Sequence, residues 1–163
     1  MIISVLTIRA VGTIGPVSET TTDDLLRLDN QLCFALVTAA RNVVAVYRPI
    51  LEPLGLTHPQ YLAMLALWEE SPRSLGDLAA ALAMEPATAS PLVKRLEADG
   101  LIERRRSSAD ERRLDIALTP KGVVLRAKAV DVPRQVMARL GMTVPEIEAV
   151  RDALTRFAGA VDL

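Results

Sequence analysis

The chain has 163 residues, half of them hydrophobic, which is enough for a sizeable core and excludes a disordered chain. Only 3% are aromatic, and small aliphatics supply most of the apolar content, a mix that favours helices over sheets. The formal net charge of −1 restricts any nucleic-acid contact to local patches, and one cysteine with one histidine excludes both a disulfide framework and a His/Cys zinc site.

The first 21 residues predict a short extension, either a strand or an arm that covers a partner. They begin MIISVLTIRAVGTIGPV, which is apolar and β-branched and has Arg9 as its only charged side chain. A secretory signal instead carries positive charge ahead of its apolar stretch. No apolar run reaches the roughly 20 residues of a membrane helix. We therefore expect no membrane contact, a cytoplasmic protein and a free thiol at Cys33.

A long helix is predicted over residues 25–47. The preceding TTDD (21–24) is a helix-start signal of hydroxyls and acids. Apolar residues then recur at spacings of three and four over more than one stripe, so we expect the helix to be buried against more than one neighbour. Pro49, Pro53 and Gly55 are predicted to break it.

Three shorter helices follow, each behind an N-cap signal. They are predicted over 59–70 after the capping box Thr57 to Gln60, over 75–82 after Ser74, and over 86–99 after Glu85. Residues 71–73 form a turn, and Gly100 closes the third helix as a C-cap. Pro91 cannot donate a helical hydrogen bond, so it is expected in or near the first turn of that helix.

The pattern then changes to a two-stranded hairpin and returns to helix. Strands are predicted over 101–106 and 114–118, joined by a polar loop over 107–113. Pro120 restarts a helix expected to reach Leu140, Gly141 ends it, and Thr143 caps a last helix to about residue 160. The fold class is thus mainly α with a small β-hairpin wing. A helix–turn–helix followed by a basic hairpin is a winged helix, whose second helix enters the major groove of DNA.

From residue 25 onward the sequence resembles the MarR family of transcriptional regulators. The carrying motifs are LGDLA (75–79), LVKRLEADGLI (92–102), DERR (110–113) and LTPKG (118–122). Within that family it is most similar to the organic hydroperoxide resistance regulators, through LDNQLCFAL (28–36), YRP (47–49), PQYL (59–62) and LWEE (67–70). The resemblance implies a homodimer with dimerisation helices in 22–56 and 120–163, a DNA-binding domain in 57–119 and an N-terminal extension in 1–21.

DNA contacts are expected from the recognition helix and the hairpin. Residues 91–113 hold seven basic and five acidic side chains, so placement matters more than total charge. Arginines and lysines contact phosphates, short polar residues reach base edges, and a wing arginine can enter the minor groove. The candidates are Ser74, Ala87, Thr88, Ser90, Lys94, Arg95, Arg104, Arg105, Arg106, Asp110, Arg112 and Arg113, with Asp110 orienting Arg112 rather than contacting DNA. The plainer alternative is a solvated basic hairpin.

Cys33 has two interpretations. A lone cysteine in an apolar helix is usually a small buried hydrophobe, whereas in the resembled subfamily the matching cysteine is the peroxide sensor, held by tyrosine hydroxyls of the partner. Tyr47 matches one of these, and fourteen helical residues (roughly 21 Å) separate it from Cys33, so the two meet only through a partner chain or a sharp bend. The subfamily has tyrosines where this chain has Val37 and His58. His58 either supports the thiolate as an imidazolium or merely starts a helix.

Three function classes follow, none with a cofactor. The first is a dimeric repressor of a pseudo-palindromic operator, released when organic hydroperoxide oxidises Cys33. With no second cysteine, its lasting product is a mixed disulfide with a low-molecular-weight thiol, or an overoxidised form. The second is a regulator released by a small apolar or phenolic ligand, with Cys33 structural and a pocket shaped by Val37 and His58. The third, a thiol enzyme, is poorly equipped by one cysteine and one histidine, so we expect no enzyme.

Replacing Arg112 by Ala tests the wing. We expect Arg112→Ala to weaken operator binding and to reduce the slope of log affinity against log salt by about 1, because one phosphate contact is lost. Affinities titrated across salt concentrations provide the measurement. Unchanged binding at every salt concentration contradicts the assignment of residues 107–113 to DNA contact.

Overall fold

The structure, a computed structural model, describes residues 22–106 and 114–159. The chain divides into two compact units, residues 1–39 and 40–163. The predicted extension over 1–21 and the hairpin loop with Asp110, Arg112 and Arg113 lie outside the described residues.

The elements, in chain order, are mainly helical. They are α1 (Thr22–Leu25), a 3-10 turn (Leu28–Asn30), α2 (Leu32–Leu51), a second 3-10 turn (Glu52–Leu54), α3 (His58–Glu69), β1 (Arg73–Ser74), α4 (Leu75–Ala81), α5 (Pro86–Ala98), β2 (Ile102–Arg106), β3 (Leu114–Leu118), α6 (Pro120–Ala129), α7 (Val132–Leu140) and α8 (Val144–Gly159). This is the predicted mainly α fold with a small β-hairpin, here called the wing (β2, β3 and the loop between them).

The first unit begins its long helix later than predicted. The prediction of one helix from residue 25 was wrong, because side-chain amides take over the backbone carbonyls that such a helix would use. Asn30 Nδ2 donates to the carbonyl of Asp24 at 2.7 Å, and Gln31 Nε2 donates to the carbonyls of Leu25 and Arg27 at 2.7 and 3.0 Å. These bonds close the chain into a 3-10 turn before α2 starts.

The end of α2 also differs from the prediction. Pro49 lies inside the helix rather than breaking it, and the helix runs on to Leu51. The chain stops being helical only at Gly55, which has a φ of +69° and caps the second 3-10 turn in the left-handed conformation.

Most of α2 is exposed within the chain, against the prediction of burial by several neighbours. Its buried residues are Ile50 and Leu51, whereas Phe34, Val43 and Val44 are exposed. The prediction that no segment could span a membrane also needs correction. By length and composition the 23-residue stretch Leu32–Leu54 would be long and apolar enough, since it contains an 18-residue window of mean hydropathy 1.3. Alanines and valines raise its mean hydropathy even though arginines interrupt the apolar run.

The helix starts of the winged domain follow the predicted caps. Thr57 and Gln60 form the capping box of α3, and Ser74 caps α4. Gly100 follows α5 with a φ of +69°. Pro91 is an exception to the predicted placement, because it is the sixth residue of α5 and so lies in its second turn.

The strands form one antiparallel sheet in the order β1-β3-β2. In the wing, Arg104 lies opposite Ile116 and Arg105 opposite Asp115. The sequence predicted a turn at 71–73 and missed β1, which starts at Arg73 and pairs with β3. A strand of two residues is too short to show an alternating pattern, so it can be recognised only by its pairing with β3.

A single core joins the winged domain to the helices that follow it. Side chains that are fully or almost fully buried come from α2, α3, α4, α5, β2 and α7: Leu51, Met64, Leu67, Leu78, Val93, Leu96, Ile102 and Val132. The predicted single helix over 120–140 is two helices, since α6 ends at Ala129 and α7 starts at Val132 with Pro133 in its first turn. Proline lacks the N–H that a continuous helix would need at that point.

Gly122 allows a close approach between α6 and the backbone of Leu101. A side chain at Gly122 would collide with the backbone carbonyl of Leu101 and press on Leu118. The Gly122 carbonyl meanwhile accepts a hydrogen bond from Trp68 Nε1 at 2.9 Å. The first turn of α6 thus packs against α3 and the start of the wing without an intervening side chain.

We expect Gly122→Ala to lower the free energy of unfolding by about 1–3 kcal/mol, because the carbonyl of Leu101 must be displaced. Urea unfolding followed by circular dichroism measures this. Gly76→Ala is the matched control: its added methyl meets nothing nearer than Ser74 Oγ at 3.8 Å, so it should stabilise α4 by about 0.5–1 kcal/mol. Equal effects at the two sites would contradict the close-packing argument.

Candidate DNA-binding surface and cysteine site

The outer face of α5 is a continuous exposed stripe. Its exposed residues recur at helical spacing and are Ala87, Thr88, Pro91, Lys94, Arg95 and Ala98. The opposite face is buried through Ala89, Val93 and Leu96. The structure therefore brings four predicted residues, at 87, 88, 94 and 95, onto one surface. The sequence reasoning left out Pro91 and Ala98, although a spacing of three and four residues from Ala87 and Lys94 was a signal for both.

The two predicted serines lie apart from the outer stripe of α5 and differ in their surroundings. Ser74 Oγ donates to Asp77 Oδ2 at 2.6 Å and accepts from the Asp77 N–H at 3.1 Å, so it serves as the N-cap of α4. Ser90 is half-buried and lines a cavity of about 70 Å³ together with Arg104 and Ile116. Its side chain is therefore on the sheet side of α5 rather than in the outer stripe.

The arginines of β2 differ in environment. Arg104 is half-buried, and its Nε lies 3.2 Å from Glu97 Oε2. This is an ion pair without hydrogen-bond alignment, since the same Nε has no hydrogen-bond partner. Arg105 and Arg106 are exposed. Arg104 thus ties the wing to α5, while its two neighbours present their charge to solvent.

Cys33 is the second residue of α2 and is exposed within the chain as a free thiol. Apolar side chains next to it are exposed as well, with Phe34 at 43% and Val37 at 41%. The interpretation of Cys33 as a small buried hydrophobe therefore does not describe it in the single chain.

Tyr47 and His58 are brought together in the second unit. Their rings meet edge to face with centroids 4.8 Å apart, and the ring centroid of Tyr61 lies 5.9 Å from that of Tyr47. Burial lowers the pKa of His58 and raises the pKa of Tyr47. The pKa of Tyr61 is raised by burial and then by Tyr47. Burial within the single chain therefore favours the neutral form of the His58 ring.

A groove between α3 and the α6–α7 corner could hold a small molecule. It has a volume of about 340 Å³ and is lined by Tyr61, Leu65, Trp68 and Arg126 among others. Its aromatic and aliphatic side chains suit a small aromatic molecule, and its charged side chains are one cation, Arg126, and one acid, Glu69. Within residues 22–106 and 114–159, no group of three or more histidine, cysteine or acidic side chains is arranged to hold a metal ion.

Comparison with known proteins identifies the family of this chain. Residues 56–114 match the MarR family. The organic hydroperoxide resistance transcriptional regulator of Bacillus subtilis is 38% identical over 131 residues, which cover 80% of this chain and 89% of that protein. This chain belongs to the MarR family. The members of this family are transcriptional regulators rather than enzymes, and the predicted family and winged-helix fold are confirmed.

Solved MarR structures agree with the fold over most of the chain. AbfR is a protein of Staphylococcus epidermidis, and its overoxidised form has been solved bound to DNA. That structure is 31% identical in sequence to this chain with a TM-score of 0.68, and the match covers 85% of this chain and 98% of AbfR. CouR of Rhodococcus jostii RHA1 bound to p-coumaroyl-CoA is 26% identical with a TM-score of 0.69, covering 82% and 95%. MarR proteins have thus been solved both with DNA and with a small ligand.

His58, the only histidine of the chain, should make the free energy of unfolding depend on pH. Because its pKa in the folded protein lies below the ordinary 6.5, the unfolded chain binds a proton there that the folded chain does not. The free energy of unfolding should therefore fall as pH drops below 6.5 towards the folded-state pKa, and His58→Gln should remove this part of the fall. Urea midpoints at pH 7.5 and 5.5, with an NMR titration of the single imidazole, measure both quantities. An imidazole pKa at or above 6.5 would contradict the burial argument.

Proposed function

We propose that this MarR protein is a cytoplasmic, homodimeric repressor that binds a pseudo-palindromic operator and releases it when organic hydroperoxide oxidises Cys33. The observation that carries the proposal is the exposed Cys33 thiol, in a chain 38% identical to an organic hydroperoxide resistance regulator. The outer stripe of α5 supplies the DNA-binding half of the proposal.

The stripe suits the major groove. Thr88 can reach base edges by hydrogen bonds, and Lys94 and Arg95 can reach bases or phosphates. Ala87 and Pro91 offer apolar surface that suits the methyl group of thymine. Arg105 and Arg106 extend the basic surface onto β2, and we assign Arg112 and Arg113, which lie outside the described residues, to the minor groove. Ser74 and Ser90 are assigned to holding α4 and α5 in place beneath this surface.

The dimer is supported by apolar surface that the single chain leaves uncovered. Large exposed hydrophobics are concentrated in 22–56 and in α8: Leu25, Leu26, Leu28, Leu32, Phe34, Val37, Val43, Val44, Val150, Leu154 and Phe157. Burial of such surface is the main driving force for association. A two-fold dimer through 22–56 and 120–163 would cover it and place two copies of the DNA-binding segment 57–119 on two half-sites. We assign the apolar helix Leu32–Leu54 to this contact rather than to a membrane.

The sensing chemistry is a two-electron oxidation of sulfur. The Cys33 thiolate attacks the terminal oxygen of the hydroperoxide, the O–O bond breaks, and the alkoxide leaves and takes up a proton as an alcohol, which yields a sulfenic acid. A low-molecular-weight thiol then attacks the sulfenic sulfur, forms a mixed disulfide and releases water. Tyr47 of the partner subunit is the proposed hydroxyl donor to the thiolate.

The mixed disulfide is the product we assign to release. A bulky group attached at the dimerisation helices respaces the two recognition helices, and because half-site spacing is geometric, both sites are lost together. AbfR has been solved with DNA in reduced and overoxidised states. This supports a bulky adduct, rather than added oxygen alone, as the releasing form.

A second candidate function is release by a small aromatic or phenolic ligand, with Cys33 structural. The specific observation in its favour is the groove of about 340 Å³ lined by Tyr61, Trp68 and Arg126. CouR, which has been solved with p-coumaroyl-CoA, is a relative of similar fold. Val37 and His58 do not line this groove, and they remain the residues that the sequence proposed for a pocket of such a ligand.

Cys33→Ser separates the two functions. An operator selected from a random duplex library should be released by wild type on addition of cumene hydroperoxide and a small thiol, with affinity falling about tenfold or more. Cys33→Ser should bind the same operator and hold it under oxidant. Gel shifts with both proteins, and mass spectrometry of the adduct, measure this.

The outcomes discriminate among the functions. Release of the Cys33→Ser variant by hydroperoxide would contradict the redox function. Release of both proteins by an aromatic acid, with no effect of oxidant on either, would support the ligand function instead. Turnover of peroxide with excess thiol would indicate an enzyme.

A further inference from the structure

We propose that the Gln60 side chain is a positioning residue through which α3 sets the place of the recognition helix α5, so that it controls both operator affinity and operator release. This inference rests on the proposed function and goes beyond it. The observation that points to it is the use of both ends of one buried amide by two distant segments.

Gln60 stands out by burial. It is 6% exposed and is the one buried polar side chain among the described residues 22–106 and 114–159. Its Oε1 accepts from the Thr57 N–H at 2.9 Å and from Thr57 Oγ1 at 2.9 Å. Its Nε2 donates to Asp99 Oδ2 at 3.1 Å. A buried amide left without a partner would be costly, so both ends are bound to their partners.

The bond to Asp99 is not needed for capping α3. A capping-box glutamine uses only its carbonyl oxygen, on the backbone N–H of the N-cap residue. The amide nitrogen of Gln60 instead reaches a residue 39 positions further along the chain. The same side chain therefore does two jobs, of which only the first is local.

Asp99 lies at the C-terminal end of the recognition helix α5, just before the chain enters β2 of the wing. It is the C-cap of α5, and Gly100 follows it with a φ of +69°. The same two residues are held from α6: Lys121 Nζ donates to the Asp99 carbonyl at 2.6 Å, and Thr119 Oγ1 donates to the Gly100 carbonyl at 2.7 Å. Gln60 is the contribution of α3 to this junction.

The hydrogen bonds of Gln60 link Thr57 to Asp99. The Thr57 end of this link lies beside the aromatic contact between α2 and α3. Thr57 directly precedes His58, whose ring packs on Tyr47 of α2 at a centroid distance of 4.8 Å. A change in the packing of Tyr47 therefore acts on the first turn of α3, and Gln60 passes that displacement to the end of α5. This is the direction in which a change at the dimerisation helices must travel to reach DNA.

A polarity swap tests the link. Gln60→Glu keeps an oxygen for the Thr57 cap but removes the donor and sets a carboxylate against Asp99, so we expect operator affinity of the reduced protein to fall about tenfold. Asp99→Asn in the same chain restores a donor–acceptor pair with its direction reversed, so the double variant should recover most of the affinity. The change in affinity caused by oxidant should shrink in Gln60→Glu and return in the double variant.

Gln135→Glu is the matched control. Gln135 Nε2 donates to Asp131 Oδ2 at 3.2 Å on the exposed surface of α7, a helix that supplies none of the exposed large hydrophobics assigned to the dimer contact. The same chemical change beside the same type of partner should therefore leave operator affinity and dimer content unaltered. Circular dichroism and thermal melts of all four proteins separate an effect on folding from one on positioning. A merely structural role for Gln60 would lower stability without the double variant restoring the response to oxidant.

The result that overturns the inference is wild-type affinity and wild-type release in Gln60→Glu, or no recovery in the double variant. Failure of wild type to bind any operator would overturn the proposed function itself. If wild type binds but ignores oxidant, the redox function fails, while the affinities of the reduced variants still decide the role of Gln60.

Discussion

The close approach of α6 to the backbone of Leu101 is the constraint on which the rest of the fold depends. The Leu101 carbonyl accepts the Thr119 N–H at 3.1 Å, Thr119 caps α6, and Gly122 leaves no side chain between α6 and the start of the wing. Trp68 adds a hydrogen bond from α3 to the same turn. Three segments far apart in sequence therefore meet at one point, and the C-terminal helices leave the winged domain in a fixed direction.

The proposed sensing residue, Cys33, belongs to the first unit, and the proposed DNA-binding surface belongs to the second. The exposed apolar side chains of α2 and α8 are the surface that the proposed dimer would bury. The winged domain, in contrast, is stabilised by a core of its own around Leu67 and Leu96. A dimer contact built mostly from outward-facing side chains can change geometry without unfolding the reading domain. Such separation is what a two-state regulator requires.

Local signals made much of the fold predictable. Thr57 with Gln60, Ser74 and Gly141 mark helix ends through hydrogen bonds or backbone angles that involve residues close in sequence, so their positions could be predicted from the sequence. The elements that were predicted wrongly depend on contacts between distant segments, or on side chains that compete for backbone hydrogen bonds. Arg73 became a strand only because β3 lies beside it, and Gln31 diverted carbonyls that a longer helix would have used.

The candidate site divides in the same way. The exposed stripe of α5 follows from helical periodicity, so Thr88, Lys94 and Arg95 could be predicted to share a face. Pairing between elements could not be predicted, and the sequence therefore gave no sign that Arg104 contacts Glu97 or that Gln60 contacts Asp99. The cysteine and the family came from motif resemblance, while the contact of His58 with Tyr47 and the burial that lowers the pKa of His58 appeared only in three dimensions.

The ion pair between Arg104 and Glu97 has a consequence for how an operator sequence is read. It joins β2 to α5 by their side chains, in addition to the chain that connects them. In the proposed DNA complex, a base change that displaces α5 in the major groove would therefore also displace the wing over the neighbouring minor groove. The energetic contributions of those two sets of base pairs should then be non-additive, as expected for sites coupled through a shared contact. An operator for this protein would be recognised as a whole rather than as a sum of independent positions.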